Sequence, residues 1–202
     1  MPDPLGYPAE GITIHHGALP LALAALALLP IAPLSPPGLG AQERSSSGIQ
    51  EVAVTRASGS VEIDGRLDDG PWAAAAVITG FTQLQPVAGE PASQKTNVRV
   101  LFDDRFIYFG VESLDSAPEA ISRTITRRDG GVHGDDAVAI VLDTFDDDNN
   151  AYFFVVNSLG TQQDGRWADN GRTRDPQWDG SWESAGLVTE TGWTAEIAIP
   201  FE

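Results

Sequence analysis

From Ile49 onward, short runs of Val, Ile, Phe and Tyr are separated by clusters of Gly, Asp, Asn and Pro. Apolar runs bounded by turn formers are the pattern of strands in an all-β domain. The pattern predicts nine strands, over 52–56, 61–64, 81–85, 97–102, 106–113, 137–145, 151–157, 181–189 and 193–199, with 103–104 and 146–150 as tight turns. In the last strand Trp193, Ala195, Ile197 and Ile199 share one face, and Thr194, Glu196 and Ala198 take the other. That alternation predicts one buried and one open face. The run FIYFGV at 106–111 is apolar on both faces, as a central strand covered on both sides requires. Helical periodicity is confined to 70–78, where Pro71 can open a turn, and to 117–125. The predicted fold is an antiparallel β-sandwich.

Ahead of this domain, ALPLALAALALLPI at 18–31 is uncharged and bracketed by Pro20 and Pro30, and a Pro/Gly/Ser stretch follows with a small-residue step at Leu39-Gly40-Ala41. The block is shorter than the ~20 residues of a spanning helix. Its order matches a secretory signal peptide, although residues 1–17 carry His15 and His16 but no Lys or Arg. The expected organisation is a leader over 1–41, a linker over 42–50 and the sandwich over 51–202. Export places the domain in the periplasm, at the outer membrane or outside the cell. The chain stops on a strand, IPFE, which would need a neighbour along its edge, so a longer protein is expected.

Composition narrows the chemistry. Cysteine is absent, so packing or bound ions must hold the domain together. With 29 acidic against 12 basic side chains the net charge is −17, which repels nucleic acid and anionic membranes. Neutral ligands and cations remain. No GxSxG, GxxxxGK[ST] or GxGxxG pattern is present.

Four ordered blocks carry a resemblance: IDGRLDDGPW from Ile63, VRVLFDDRFIYFGV from Val98, DDAVAIVLDTF from Asp135 and GWTAEIAIPF from Gly192. Together they resemble the family 9 carbohydrate-binding modules. WDGSWESA at 178–185 and YFFVVNSLGTQQD at 152–164 look like the version at the N-terminus of bacterial envelope proteins that continue into a β-barrel. The resemblance implies a sugar-binding sandwich, ancillary to polysaccharide catabolism, with structural calcium. The chain departs from the family where sugars bind. The position of one stacking tryptophan falls on His133, that of a binding arginine near Phe154, and that of a second tryptophan beyond Glu202.

Trp72 and Trp193 read as core residues. Trp167, Trp178 and Trp182 stand among Asp, Asn, Gly and Arg in GRWADNGRTRDPQWDGSWES, and are candidates for stacking on a sugar, with Trp182 also readable as a strand start. His133, in GGVHGDD, is either a solvent-facing loop residue or a sugar contact. Asp146, Asp148 and Asn150 in DDDNN offer hard oxygens for calcium, but Asp and Asn equally favour a solvated turn. Asp115, Asp135, Asp136 and Asp164 are further possible ligands. Zinc lacks its usual ligands, since the remaining histidines lie in the leader.

A glycosidase needs two carboxyls about 5 to 9.5 Å apart across one bond. Asp135 and Asp136 are adjacent on extended backbone and point to opposite faces. Asp143 and Asp146 flank an exposed turn that would not raise a carboxyl pKa. The expected function is therefore non-catalytic binding of an oligo- or polysaccharide at the cell envelope. The alternatives are a structural cap on an outer-membrane barrel that binds no sugar, and an O-glycosyl hydrolase.

Overall fold

The computed structural model describes residues 52–132 and 134–201. The residues expected to form the leader and linker lie outside the described residues, as does His133. Ten strands form two sheets. In the larger sheet, β1 (Thr55–Arg56) and β2 (Val77–Ile78) both pair with β3 (Thr96–Phe102). Next to β3 come β4 (Phe106–Leu114), β10 (Gly192–Pro200) and β9 (Glu183–Thr189). The smaller sheet runs in chain order through β5 (Ala137–Leu142), β6 (Ala151–Asn157), β7 (Gln162–Ala168) and β8 (Thr173–Asp175). Every pairing is antiparallel except that of β1 with β3.

Alternation puts Val98, Val100, Phe109, Val111, Ala195 and Ile197 on one face of the larger sheet, against Ile140, Phe154 and Val156 of the smaller. Trp193 belongs to this core, as expected, and so does Trp182. The β3–β4 hairpin is closed by Asp103, whose Oδ1 accepts from Arg105 N at 2.7 Å and Phe106 N at 2.8 Å.

The second face of β10 differs from expectation. It is covered, and Glu196 and Ala198 are buried. The chain segment before β2 crosses this face, bringing Trp72 onto Leu101, Tyr108 and Ala198, with Val61, Ile63 and Leu67 around them. Glu196 accepts hydrogen bonds from Trp72 Nε1 at 2.8 Å, Asp64 N at 2.9 Å and Gly65 N at 2.8 Å. Backbone donors satisfied by a carboxylate need no strand partner, which explains why 61–64 is not the predicted strand. Burial raises the Glu196 pKa against the pull of these three donors. Opposite Glu196 on β4 stands Gly110, where a Cβ would lie 2.7 Å from Leu67 Cδ2 and 3.0 Å from the Trp72 ring. Only glycine lets the indole approach this sheet.

Other predicted elements shrink. Residues 70–78 form a 3-10 turn, Gly70–Ala74, with Pro71 at its start, followed by β2. Of 117–125 only Pro118–Ala120 is helical, and 81–85 contributes a single bridge, Thr82 with Pro91.

Tyr108 donates its hydroxyl to Asp103 Oδ2 at 2.8 Å. Burial first, and this bond second, push its pKa up to about 12. The stability it adds is complete below the tyrosine's unfolded pKa of about 10 and is lost as pH rises through the folded value. Ultraviolet titration should show a late-ionising tyrosine that is absent from Tyr108→Phe.

Candidate functional site

The strands β7 and β8, which the hydrophobic pattern misses, build the site. Register aligns Tyr152, Arg166 and Asp175 in one row across β6, β7 and β8, on the face that also carries Phe154 and Asp164. Beyond the core this face opens into a groove of about 530 Å³, lined also by Phe145, Asp147, Asn150, Trp167 and Thr173. That volume lies within the roughly 300–1,000 Å³ of small-molecule sites.

Five aromatic rings lead from solvent into the core. Phe145, 63% exposed, stands 6.4 Å from Tyr152, and Tyr152 rests on Trp178 at 4.6 Å. Trp178 meets Phe154 edge-on at 5.9 Å, and Phe154 meets Trp182 in the same way at 5.3 Å. Beside the outer rings, Arg166 Nη2 donates to Asp175 Oδ2 at 2.7 Å, which raises the arginine pKa and lowers that of the aspartate. The groove thus offers ring faces edged by fixed polar groups.

The predicted residues separate. Trp167 lies on β7 rather than in a loop; it borders the groove, but alternation turns its side chain to the face opposite Arg166, where it packs on Phe153 at 5.2 Å. Trp178 supports the groove from behind, through Tyr152. Trp182 is corrected: it is buried, its Nε1 donates to Asp164 Oδ2 at 2.6 Å, and its ring is closed to a ligand. His133 lies outside the described residues. The loop on either side of it enters β5 at the Asn157 end of the sheet, while the groove lies at the Tyr152 end. Across β6, about 3.3 Å per residue places these ends roughly 20 Å apart.

The acidic turn is held by different residues from those expected as ligands. Asp143 accepts from the backbone N–H groups of Phe145, Asp147 and Asp148 at 2.9, 3.0 and 2.7 Å. Asp147 accepts from Asn149 N, Asn150 N and Asn150 Nδ2, and these bonds lower its pKa, the Asn150 side chain most. Asn150 therefore spends its amide on the turn, and Asp146 and Asp148 take positive φ values of 53° and 52°. Among the described residues neither belongs to a group of three converging acidic side chains. Asp143→Ala should cost about 1–2 kcal/mol, as loss of a capping side chain does, measured by chemical denaturation.

The carboxylates that do converge are Asp129, Asp164 and Asp179, with ligand atoms within 4.8 Å of one another. Their interior is taken by Arg128, whose Nη2 donates to Asp164 Oδ2 and to Gly180 O, each at 2.5 Å. Asp164 is fully buried and also accepts from Gly180 N at 3.1 Å. Gly180 packs so closely on Trp178 that a Cβ would lie 2.5 Å from the indole. The charged cluster thereby holds the loop that backs the groove.

The model of the carbohydrate family 9 binding domain-like family matches residues 63–202. The chain belongs to this family. Similar solved structures include a Bacteroides uniformis protein for which carbohydrate binding has been suggested, 13% identical, covering 73% of this chain and 71% of that one, with a TM-score of 0.54. A family 9 module from Caldicellulosiruptor kristjanssonii in complex with cellotriose is 17% identical, covers 75% of this chain and 67% of that one, and has a TM-score of 0.47. Another structure of a family 9 module from that organism, with glucose, is 16% identical, with 74% and 68% covered and a TM-score of 0.42. A search of curated proteins finds no match.

This family 9 module is a binding domain, and the adjacent carboxylates before β5 hold backbone and side-chain donors. Asp135 accepts from Thr124 N and Asn157 Nδ2, each at 2.9 Å, and Asp136 accepts from Ser122 N at 2.7 Å. Both tie the segment before β5 to the sheet. Sequence reasoning missed Tyr152, Arg166, Asp175 and Phe145 as groove residues. The available signal was the alternation of Gln162, Asp164, Arg166 and Ala168 against Gln163, Gly165 and Trp167, hidden because the strand is polar.

Proposed function

We propose that this module binds an uncharged oligosaccharide in the groove between the 143–150 turn and β8. The observation that carries this reading is the row Tyr152–Arg166–Asp175 beside the exposed ring of Phe145. A pyranose needs an aromatic face for its C–H side and in-plane polar groups for its hydroxyls. Tyr152 and Phe145 supply the first, and Arg166 and Asp175 the second. The net charge of −17 favours neutral over acidic sugars. Family membership supports the ligand class. The apolar block at 18–31 supports export to the cell envelope, where binding would serve polysaccharide catabolism within a larger protein.

Calorimetric titration with glucose, cellotriose and xylo-oligosaccharides tests the reading. Wild type should bind at least one of them. Tyr152→Ala should weaken binding at least about tenfold, or ~1.4 kcal/mol. His133→Ala should leave it unchanged. Absence of sugar binding by wild type would favour the structural cap, and loss through His133→Ala with Tyr152→Ala unchanged would show that the groove is not the site.

A further inference from the structure

The structure assigns Arg128 the place of a bound cation: its guanidinium fills an oxygen cage of the kind that holds calcium, so the module carries its own counter-ion there. Arg128 is surrounded by the carboxylates of Asp164, Asp179 and Asp129, the carbonyl of Gly180 and the amide oxygen of Gln162. Three carboxylates, a backbone carbonyl and a side-chain amide oxygen form a hard-oxygen set of the type calcium selects. Nη1 donates to Gln162 Oε1 at 2.8 Å, and Nη2 to Asp164 Oδ2 and Gly180 O at 2.5 Å. Nε lies 3.0 Å from Asp179 Oδ1 and 3.7 Å from Asp129 Oδ2, as charge contacts without hydrogen-bond alignment.

Part of the cage is held by bonds that do not involve the arginine: Asp164 Oδ2 accepts from Gly180 N at 3.1 Å and from Trp182 Nε1 at 2.6 Å. Asp164 is fully buried on β7, and its Oδ1 has no hydrogen-bond partner. Asp129 Oδ1 accepts from Asp164 N at 3.2 Å, and the Trp182 ring lies 5.6 Å from the guanidinium carbon. A cation is therefore required beneath the WDGSW loop, because a buried carboxylate without one is strongly disfavoured. Arginine serves through its planar fork, which can reach several oxygens at once. A divalent ion in the same cage would sit against that guanidinium as a like charge. Removing the side chain exposes the oxygen set.

The test uses the whole chain, freed of metal by chelator and then titrated with calcium. Wild type should keep its unfolding midpoint within about 1 °C between excess chelator and 1 mM calcium. Arg128→Ala should unfold at least about 6 °C lower in chelator. Calcium should recover part of that loss with half-saturation of about 0.1–1 mM, as in weak extracellular sites. Adding Asp179→Asn to Arg128→Ala should abolish the recovery. If Arg128→Ala does not fold without metal, refolding in millimolar calcium is the same readout, with recovery supporting the assignment and failure overturning it. Calcium binding by wild type that Asp179→Asn abolishes would also overturn it, as would an Arg128→Ala variant that binds no more calcium than wild type. Sugar binding plays no part in these readouts, so the outcome is independent of the proposed groove.

Discussion

Trp72→Ala should lower the unfolding free energy by about 3–5 kcal/mol, the range for removing a large buried aromatic. Trp72 is 1% exposed, and it is the centre of the cluster that covers the outer face of the larger sheet. Two losses combine. The indole leaves a cavity bounded by Leu101, Tyr108 and Ala198, and Glu196 Oε1 loses its donor while remaining buried. Trp72→Phe should cost less, because it removes the hydrogen bond but keeps part of the ring packing; the lost bond accounts for about 1–3 kcal/mol of its effect. Urea denaturation followed by far-ultraviolet circular dichroism gives both values. A loss below about 1 kcal/mol for Trp72→Ala would mean that the segment over β4 and β10 adds little to the folded state.

Asp164→Ala should destabilise by about 2–5 kcal/mol, because it leaves the donors of Trp182 and Gly180 without their acceptor inside the fold. Its Oδ2 accepts from Arg128, Trp182 and Gly180 together. Trp182 Nε1 and Gly180 N would lose their acceptor, while Arg128 would keep Gly180 O, Gln162 Oε1 and Asp179. The damage should reach the groove, since Gly180 packs on Trp178 and Trp178 on Tyr152. Denaturation measures the first effect. Tryptophan fluorescence, which should shift to the red as Trp182 becomes wetter, measures the second. An unchanged spectrum together with unchanged stability would show that the network neither holds the loop nor supports the fold.

The strands with a strong apolar alternation were legible. β3, β4, β6 and β10 fall where the pattern puts them, to within a residue or two at their ends. β7 and β8 were not legible, because their sequences QQDGRWA and TRD carry the polar residues that usually mark loops. They are strands because their polar side chains find partners: Asp164 in Arg128, 36 residues away, and Arg166 in Asp175 across the hairpin. The candidate groove inherits that blindness, since most of its polar wall is β7 and β8. Trp182 misled for the same reason. Its neighbours in sequence are polar, but its neighbours in space are Phe154 and the core.

By itself the sequence determined the fold class, the family blocks, the core positions of Trp72 and Trp193, the acidic excess and the absence of disulfides. Each of these depends on local periodicity, composition or short ordered motifs. Only the tertiary structure decided that Trp182 is buried, which carboxylates meet and what neutralises them. Asp129, Asp164 and Asp179 stand 35 and 15 residues apart along the chain, and Glu196 reaches back 131 and 132 residues to Gly65 and Asp64. Charge pairing and burial act over a few ångströms of space, and chain distance carries no record of that closeness.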